Sequence, residues 1–348
     1  MPVKPIEWKN RKLNILDQTL LPQKTSYEQC KTVKDVFNAI KILKVRGAPL
    51  IGITASYGLL VALCEKGMKD TDNMLSIIKE AGKYLQSSRP TAVNLEWAVK
   101  RMIKKAESCD KNIDTEEFFS VLEKEANTIF SEDYAMSENI GKYGSELIKD
   151  GSTILTHCNA GGLATSGLGT ALSPLYSAHE QGKNITVYAD ETRPLLQGAR
   201  LTAYELANAG IKTILISDSM AGFVISQGKI DKVIVGADRI AANGDTANKI
   251  GTMSLSILCS HFNIPFYVAA PSSTFDLAIQ SGRDIPIEER DSYELKTFAG
   301  TQTAPNEIDV YNPAFDVTDN SHITAFITDK GLIYPPFEEN LKKVISDK

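Results

Sequence analysis

The sequence has little of what metal sites, disulfide scaffolds and nucleic-acid interfaces are made of. Its 348 residues include only four histidines, which lack the spacing of metal ligands, and five cysteines with no CxxC pair among them. An odd number of widely spaced cysteines favours reduced thiols, and therefore a cytoplasmic protein. The net charge is -5 and no basic block occurs, so we expect no nucleic-acid partner.

Several nucleotide and membrane signals are missing as well. The chain has neither a P-loop nor a GxGxxG motif followed by an acidic residue, which disfavours a dinucleotide-dependent dehydrogenase. The opening MPVKPIEWKN has no apolar core, so we expect no signal peptide. The longest apolar stretch, 50–64, contains Thr54, Ser56 and Gly58 and is expected to be too short to cross a bilayer.

What remains is an ordinary globular composition, with 43% hydrophobic and 23% charged residues and enough length for two domains. Residues 6–16 alternate apolar and polar, which predicts a small hairpin. Thr32 opens a capping box, which predicts a helix through Lys44. After a break at 46–49, helices are predicted at 50–64, 72–86, 92–106 and 115–148.

The pattern changes at Thr153, where short β-rich segments begin to alternate with helical ones. Such alternation predicts a parallel sheet covered on both faces. We therefore predict an α/β protein, with an N-terminal domain of helices and a short β-sheet at 1–125 and a Rossmann-like catalytic domain at 126–348. The predicted strands are 153–156, 185–189, 213–217, 232–235, 266–270 and 323–328.

Polar residues follow three of these strands. Asp238 stands just beyond strand 232–235, and Asn248 and Lys249 are expected in the first turn of the next helix. Ligands in open α/β sheets bind beyond the carboxyl ends of strands and against helix N-termini. This stretch therefore predicts a site for a small anion with an acid or base beside it. The alternative is a surface turn with an ordinary ion pair between Asp238 and Arg239.

Cys158 follows strand 153–156 in the same way. It is expected at the N-terminus of the next helix, where exposed amides would favour the thiolate. The alternative is a small, buried, apolar cysteine, which is how we interpret the four other cysteines. His157 is interpreted as a structural or supporting residue, because adjacent side chains on an extended chain point apart.

A third polar cluster, 188–194, follows strand 185–189. Asp190 and Glu191 could simply cap the helix that follows, whereas Gln197 and Arg200 lie one turn apart and could face a ligand. Because the carboxyl ends of parallel strands meet at one edge of a sheet, the three clusters predict one composite cleft.

Taken together, these residues resemble the methylthioribose-1-phosphate isomerase family. The sequence is also similar to 5-deoxyribose-1-phosphate isomerases and, more distantly, to ribose-1,5-bisphosphate isomerases, whose motifs around the reacting carbons are nearly the same. The regulatory subunits of a guanine-nucleotide exchange factor of translation initiation share the fold, but are not expected to keep the Cys–Asp pair. The resemblance covers 46–59, 87–98, 156–165, 190–206, 236–252, 266–276, 285–291 and 312–318.

The resemblance implies an enzyme of methionine salvage that interconverts an aldose 1-phosphate and a ketose 1-phosphate. It implies a homodimer with no metal or organic cofactor and a sugar-1-phosphate as its small-molecule partner. It makes Cys158 and Asp238 the catalytic pair. The substrate-binding positions that it implies are Arg46, Gly47, Ala48, Arg89, Gln197, Asn248 and Lys249.

The chemistry explains why such a pair is needed. The anomeric carbon carries phosphate, so the sugar ring must be opened by protonating the ring oxygen. We expect Asp238, kept protonated by desolvation, to be this acid. Cys158, as thiolate, would carry the C2 proton to C1; the competing route is a hydride shift with Cys158 as an electrostatic stabiliser. Arg46, Arg89 and Lys249 would hold the phosphate.

Overall fold

The computed structural model describes residues 3–90, 92–110, 112–298 and 300–345. These residues form two compact units. Within the described residues, the first, here called the N-unit, comprises 3–137 and 162–169, and the second, the C-unit, comprises 138–161 and 170–345. The long helix Thr115–Ser145 contains the boundary between the units. The predicted division at 125–126 falls within the same helix and stays a prediction.

The N-unit combines a helical layer with a small antiparallel sheet. The predicted hairpin is confirmed: β1 pairs with β2, and the two turn residues Asn10 and Arg11 both have the positive φ that a two-residue hairpin loop requires. The strands are β1 Ile6–Lys9, β2 Lys12–Leu16 and β3 Tyr27–Cys30, and the helices are α1 Val33–Lys41, α2 Ala48–Lys66, α3 Thr71–Gln86, α4 Val93–Glu107 and α5 Thr115–Ser145.

Helix α2 forms the centre of the N-unit. Gly47, with a positive φ, and Pro49 in the first turn begin the helix, and residues 50–63 are all buried. The argument from length was wrong: by length and composition alone, these 19 residues could cross a membrane. However, 78% of the apolar window is buried inside the protein, and α2 packs against α1, α3 and α4. It is a core helix of this unit.

The C-unit is built on a seven-stranded sheet of order β16-β15-β10-β7-β4-β5-β6 within the described residues. All pairings are parallel except that of β16, which confirms the predicted α/β class. The strands are β4 Thr153–Thr156, β5 Thr186–Asp190, β6 Lys212–Ile216, β7 Lys232–Val235, β10 Phe266–Ala269, β15 Ala325–Thr328 and β16 Gly331–Ile333, and the helices are α6 Ser173–Glu180, α7 Ala203–Asn208, α8 Ala221–Ser226, α9 Thr252–Phe262, α10 Tyr293–Lys296 and α11 Phe337–Ile345.

The strand order reverses at β4. The chain runs from β4 to β5 and β6 on one side and then returns to β7 on the other side. Ligands in open α/β sheets bind at such a switch point, beyond the carboxyl ends of the strands. A ligand site is therefore expected in the loops that follow β4 and β7.

A second, four-stranded sheet was not predicted. It has the order β11-β8-β9-β14. The helix predicted at Asn248 and Lys249 is wrong, because both residues lie on strand β9. The segment is extended because it pairs with both β8 and β14. These strands are β8 Arg239–Ala241, β9 Thr246–Lys249, β11 Phe275–Asp276 and β14 Phe315–Thr318, and a separate hairpin joins β12 Thr297–Phe298 to β13 Thr301–Gln302.

Helix α9 begins only after this strand. Gly251 has a positive φ, and the carboxylate of Asp316 accepts the backbone N–H groups of Gly251 at 2.7 Å and Met253 at 3.1 Å. A side chain 65 residues away in the sequence thus caps the helix, which no local signal could reveal.

Candidate active site

The loops that carry Cys158 and Asp238 meet in the C-unit. Strands β4 and β7 are neighbours in the sheet, and each residue follows the carboxyl end of its strand by two or three positions. A methyl group added to Gly236 would lie 2.8 Å from the Cβ of Ala160. The two loops are therefore in close contact at the switch point.

His157 joins the same region to two further loops. Its Nδ1 lies 2.9 Å from Asp190 Oδ2 and its Nε2 lies 2.8 Å from the carbonyl oxygen of Ile250. The Ile250 carbonyl oxygen can only accept, so Nε2 carries a proton. Burial lowers the pKa of His157, but the Asp190 hydrogen bond and charge reverse this effect and leave the pKa raised. Both ring nitrogens are thus engaged by the protein, and the supporting role of His157 stays a prediction.

Cys158 has an unusual backbone. Its φ is +63°, a left-handed conformation that costs a non-glycine residue about 1 to 3 kcal/mol. The backbone N–H donates to Thr192 Oγ1 at 2.8 Å, and the carbonyl oxygen accepts from Thr202 Oγ1 at 2.6 Å. The expected helix N-terminus is wrong, because α6 does not begin until Ser173 and an irregular, glycine-rich segment separates the two.

The other four cysteines differ more in burial than the sequence predicted. Cys30 and Cys259 are buried, as the sequence suggested, and burial raises the pKa of each thiol to about 12. Cys64, in contrast, is exposed, and Cys109 is half-buried. Interpreting Cys64 as a buried residue was wrong, because it lies near the end of α2, beyond the buried stretch 50–63.

Asp238 lies beside the strand that carries two other candidates. Its N–H donates to the carbonyl oxygen of Ala247 in β9 at 2.8 Å, next to Asn248 and Lys249. Asp238 is exposed in the single chain, so the desolvation expected around it is not present. The reason is its place in the connection between the two sheets, three residues after the buried end of β7. Arg239 pairs with Asp276 at 3.7 Å.

Three further candidates of the C-unit differ in how they are held. Gln197 is buried, and its Oε1 has no hydrogen-bond partner among the described residues. Asn248 is buried and donates to Thr252 Oγ1 at 3.0 Å. Lys249 donates to the carbonyl oxygen of Ala314 at 2.7 Å, and its ammonium lies 4.4 Å from the centre of the Phe315 ring.

Asp190 does not cap a helix, which corrects one interpretation of the sequence. One carboxylate oxygen binds His157, and the other, Oδ1, has no partner within the described part of the chain. Burial raises the pKa of Asp190, although the hydrogen bond with His157 opposes this. The carbonyl oxygen of Asp190 lies so close to Gly198 that any side chain there would overlap it.

His157, Asp190 and Asp218 place their ligand atoms within 4.8 Å of one another, as a metal site would. Their spacing in the sequence did not suggest this, because they follow three different strands. Asp218 uses its two oxygens to accept the N–H groups of Thr192 and Arg193, each at 2.7 Å. Since both His157 nitrogens are also hydrogen-bonded, we assign this cluster a structural role.

The remaining candidates lie in the N-unit. Gly47, with a φ of +93°, would place a Cβ 2.6 Å from Ala164 Cα, so only glycine fits between Arg46 and Ala48. Arg46 Nε donates to Gln18 Oε1 at 3.3 Å, and Gln18 Nε2 donates to the Leu163 carbonyl oxygen at 2.8 Å. Arg89 is half-buried beyond the end of α3.

Two residues that hold the segment Gly162–Gly169 were missed from the sequence. Gln18 is one, and Asp133 is the other. The carboxylate of Asp133 accepts both the N–H and the hydroxyl of Ser166 at 2.7 Å. Both are buried polar side chains that lie far in sequence from the segment they contact. A single Gln or Asp gives no local sequence signal for such a contact.

Comparison with known proteins identifies the class. A model of the initiation factor 2 subunit family matches residues 44–335. A 5-deoxyribose 1-phosphate isomerase of Clostridium botulinum is 55% identical over 97% of both chains. A methylthioribose-1-phosphate isomerase of Caldicellulosiruptor saccharolyticus is 54% identical, covering 98% of this chain and 99% of its own.

Solved structures agree with this result. The crystal structure of a 5-methylthioribose 1-phosphate isomerase from Pyrococcus horikoshii superposes with a TM-score of 0.94 and 44% identity, covering 100% of this chain and 97% of its own. A structure from A. fulgidus, titled translation initiation factor eIF-2B subunit delta, has a TM-score of 0.90 and 45% identity over 99% of both chains.

The chain therefore belongs to the initiation factor 2 subunit family. Within that family it is an aldose–ketose isomerase, of the type whose members are named methylthioribose-1-phosphate isomerase or 5-deoxyribose 1-phosphate isomerase.

Proposed function

We propose that this isomerase converts 5-methylthioribose 1-phosphate to 5-methylthioribulose 1-phosphate, a step of methionine salvage. The observation that carries the proposal is the meeting of the Cys158 and Asp238 loops at the switch point of the C-unit sheet. It supplies a thiol and a carboxyl group to one region, as ring opening and proton transfer require.

In this proposal Asp238 protonates the ring oxygen and Cys158 acts at C2 and C1. Because Asp238 is exposed in the single chain, its burial has to come from the bound sugar. The bound sugar excludes water from the carboxyl group and brings a negatively charged phosphate into the site. Both effects favour the neutral carboxyl form, which can then donate a proton. Cys158 takes the C2 proton as thiolate and returns it to C1. Asp238, which became a carboxylate when it protonated the ring oxygen, accepts the proton that the C2 hydroxyl loses as the ketone forms.

Lys249 and Gln197 are proposed to bind the substrate. An ammonium group has three donors, so Lys249 can keep its hydrogen bond to Ala314 while it donates to a phosphate oxygen. Gln197 Oε1, buried without a partner among the described residues, can accept a sugar hydroxyl. Asn248 is proposed beside them. For Arg46, Gly47, Ala48 and Arg89, substrate binding stays a prediction.

Running the reaction in deuterated water separates the two chemical routes. Proton transfer through Cys158 exchanges with solvent, so deuterium should appear at C1 of the product. A product without solvent label at C1 would favour the hydride shift and leave Cys158 as an electrostatic stabiliser.

The second candidate substrate is 5-deoxyribose 1-phosphate, which the name of the 55% identical relative favours. Parallel kinetics on the two sugars and on ribose 1,5-bisphosphate test the choice. We expect the highest kcat/KM for the methylthio sugar. A higher value for the deoxy sugar would overturn it. Binding of all three without conversion would indicate a regulatory subunit instead.

A cytoplasmic homodimer is proposed as the working form. Exposed apolar side chains of the C-unit occur on the edge strand β6, in the turn just before α8, and on α8 and α9, two helices that pack on each other. Such patches mark interfaces. The residues are Leu215, Met220, Phe223, Met253 and Ile257. Phe223→Glu should shift the sedimentation coefficient toward that of a monomer; an unchanged dimer would remove this patch from the interface.

A further inference from the structure

Two residues on neighbouring strand ends of the C-unit share a strained backbone. Cys158, after β4, has a φ of +63°, and Thr192, after β5, has a φ of +66°. A β-branched residue such as Thr192 is rarely found in this conformation. Strain of this kind persists only where the surroundings hold it, and it concentrates at functional sites.

Two threonine hydroxyls hold the backbone on either side of Cys158. Thr192 Oγ1 accepts the Cys158 N–H at 2.8 Å and donates to the Asp190 carbonyl oxygen at 3.1 Å. Thr202 Oγ1 donates to the Cys158 carbonyl oxygen at 2.6 Å and accepts Asn159 Nδ2 at 3.1 Å. Both threonines are fully buried, so water is a poor substitute for either hydroxyl.

The backbone of Thr192 is itself held by a hydrogen bond. The carboxylate of Asp218 accepts its backbone N–H and that of Arg193, each at 2.7 Å. Thr202, the last residue of the π-helical turn Gly198–Thr202, is fixed by the helix that continues into α7. Each hydroxyl therefore extends from a rigid base to one of the two peptide groups that flank the Cys158 Cα.

From this geometry we infer that Thr192 and Thr202 are positioning residues that aim the Cys158 sulfur. The two peptide groups beside a Cα determine the direction of its Cα–Cβ bond, and the hydroxyls fix both peptide groups. A misplacement of about 1 Å at a reacting group can cost roughly a hundredfold in rate. The inference rests on the proposed function, in which Cys158 acts on the substrate.

The test uses Thr192→Val and Thr202→Val, which keep shape and β-branching but lose the hydroxyl. Each valine variant is compared with the serine variant at the same position, which keeps a hydroxyl group. Thr328→Val is the matched control, since Thr328 is also buried, accepts the Lys330 N–H and donates to a backbone oxygen, that of Gly331. We expect kcat to fall by about tenfold to a hundredfold in the valine variants, with KM changed by less than about threefold.

A second readout is independent of turnover. Alkylation by iodoacetamide is followed by mass spectrometry at Cys158, with the exposed Cys64 as the reference within the same molecule. The valine variants should change the Cys158 rate by at least about threefold and leave Cys64 unchanged. The serine variants should restore both kcat and labelling, and Thr328→Val should match the wild type.

Unchanged kcat and unchanged Cys158 labelling in both valine variants would overturn the inference. So would an equal loss in Thr328→Val or in the serine variants, because this would reflect general damage to the fold. If a valine variant fails to fold, the alanine variant at the same position is measured by the same criteria. Turnover that survives Cys158→Ser would refute the proposed function, whereas the labelling result would still decide the positioning role.

Discussion

Replacing Asp133 with asparagine should change how the stability of the protein depends on pH. Asp133 is buried in α5, and its carboxylate is held by the N–H and the hydroxyl of Ser166. Burial raises its pKa from 3.8 to about 6, although the Ser166 hydrogen bonds oppose the rise. The folded protein thus disfavours the ionised carboxylate.

The sign and size of the effect follow from this shift. The pKa in the fold lies above that in the unfolded chain, so the stability that Asp133 contributes is complete below about pH 4 and is lost as the pH rises through 6. A shift of about two units corresponds to about 3 kcal/mol. An asparagine keeps an acceptor for Ser166 and does not ionise, so the variant should avoid this loss.

Urea unfolding between pH 4 and pH 8 measures the effect. The unfolding free energy of the wild type, relative to Asp133→Asn, should fall by about 2 to 3 kcal/mol over this range. Glu138→Gln, which changes an exposed carboxyl group in the same helix, should follow the wild type. If wild type and Asp133→Asn keep a constant difference at every pH, the account of Asp133 is refuted.

Two further changes test local features of the fold. Gly198→Ala should lower the unfolding free energy by about 3 kcal/mol or more, because the new methyl group would overlap the backbone oxygen of Asp190. The control Gly228→Ala, with open space around it but a φ of +66°, should cost only about 1 kcal/mol. Similar losses of stability in the two variants would contradict the predicted overlap. Thr32→Ala removes a capping box in which Thr32 Oγ1 accepts the Asp35 N–H, and it should cost about 1 kcal/mol by urea unfolding. No loss, or an equal loss in Thr128→Ala at a half-buried position within α5, would contradict this prediction.

Elements with strong local signals were predicted well. The strands 153–156 and 232–235 have the predicted ends, because β-branched and other apolar residues fill each run and the flanking residues interrupt it. The capping box at Thr32 is also confirmed, although α1 ends at Lys41 rather than Lys44. In each case the residues that determine the element are its own neighbours in sequence.

Features that depend on distant partners could not be predicted. Residues 246–249 became a strand because β14, some 70 residues later, pairs with them. The positive φ of Cys158 depends on Thr192 and Thr202, and the caps of α9 depend on Asp316. The sequence indicated which strand ends carry the chemistry, and tertiary contacts determine how those residues are held.

Turnover of 5-methylthioribose 1-phosphate by Cys158→Ser and Asp238→Asn tests the central claim most directly. Both variants should keep the circular dichroism spectrum and melting temperature of the wild type and lose turnover by roughly a hundredfold or more, as acid–base groups do. If either folded variant converts the sugar at the wild-type rate, the thiol and the carboxyl group are not the catalytic pair.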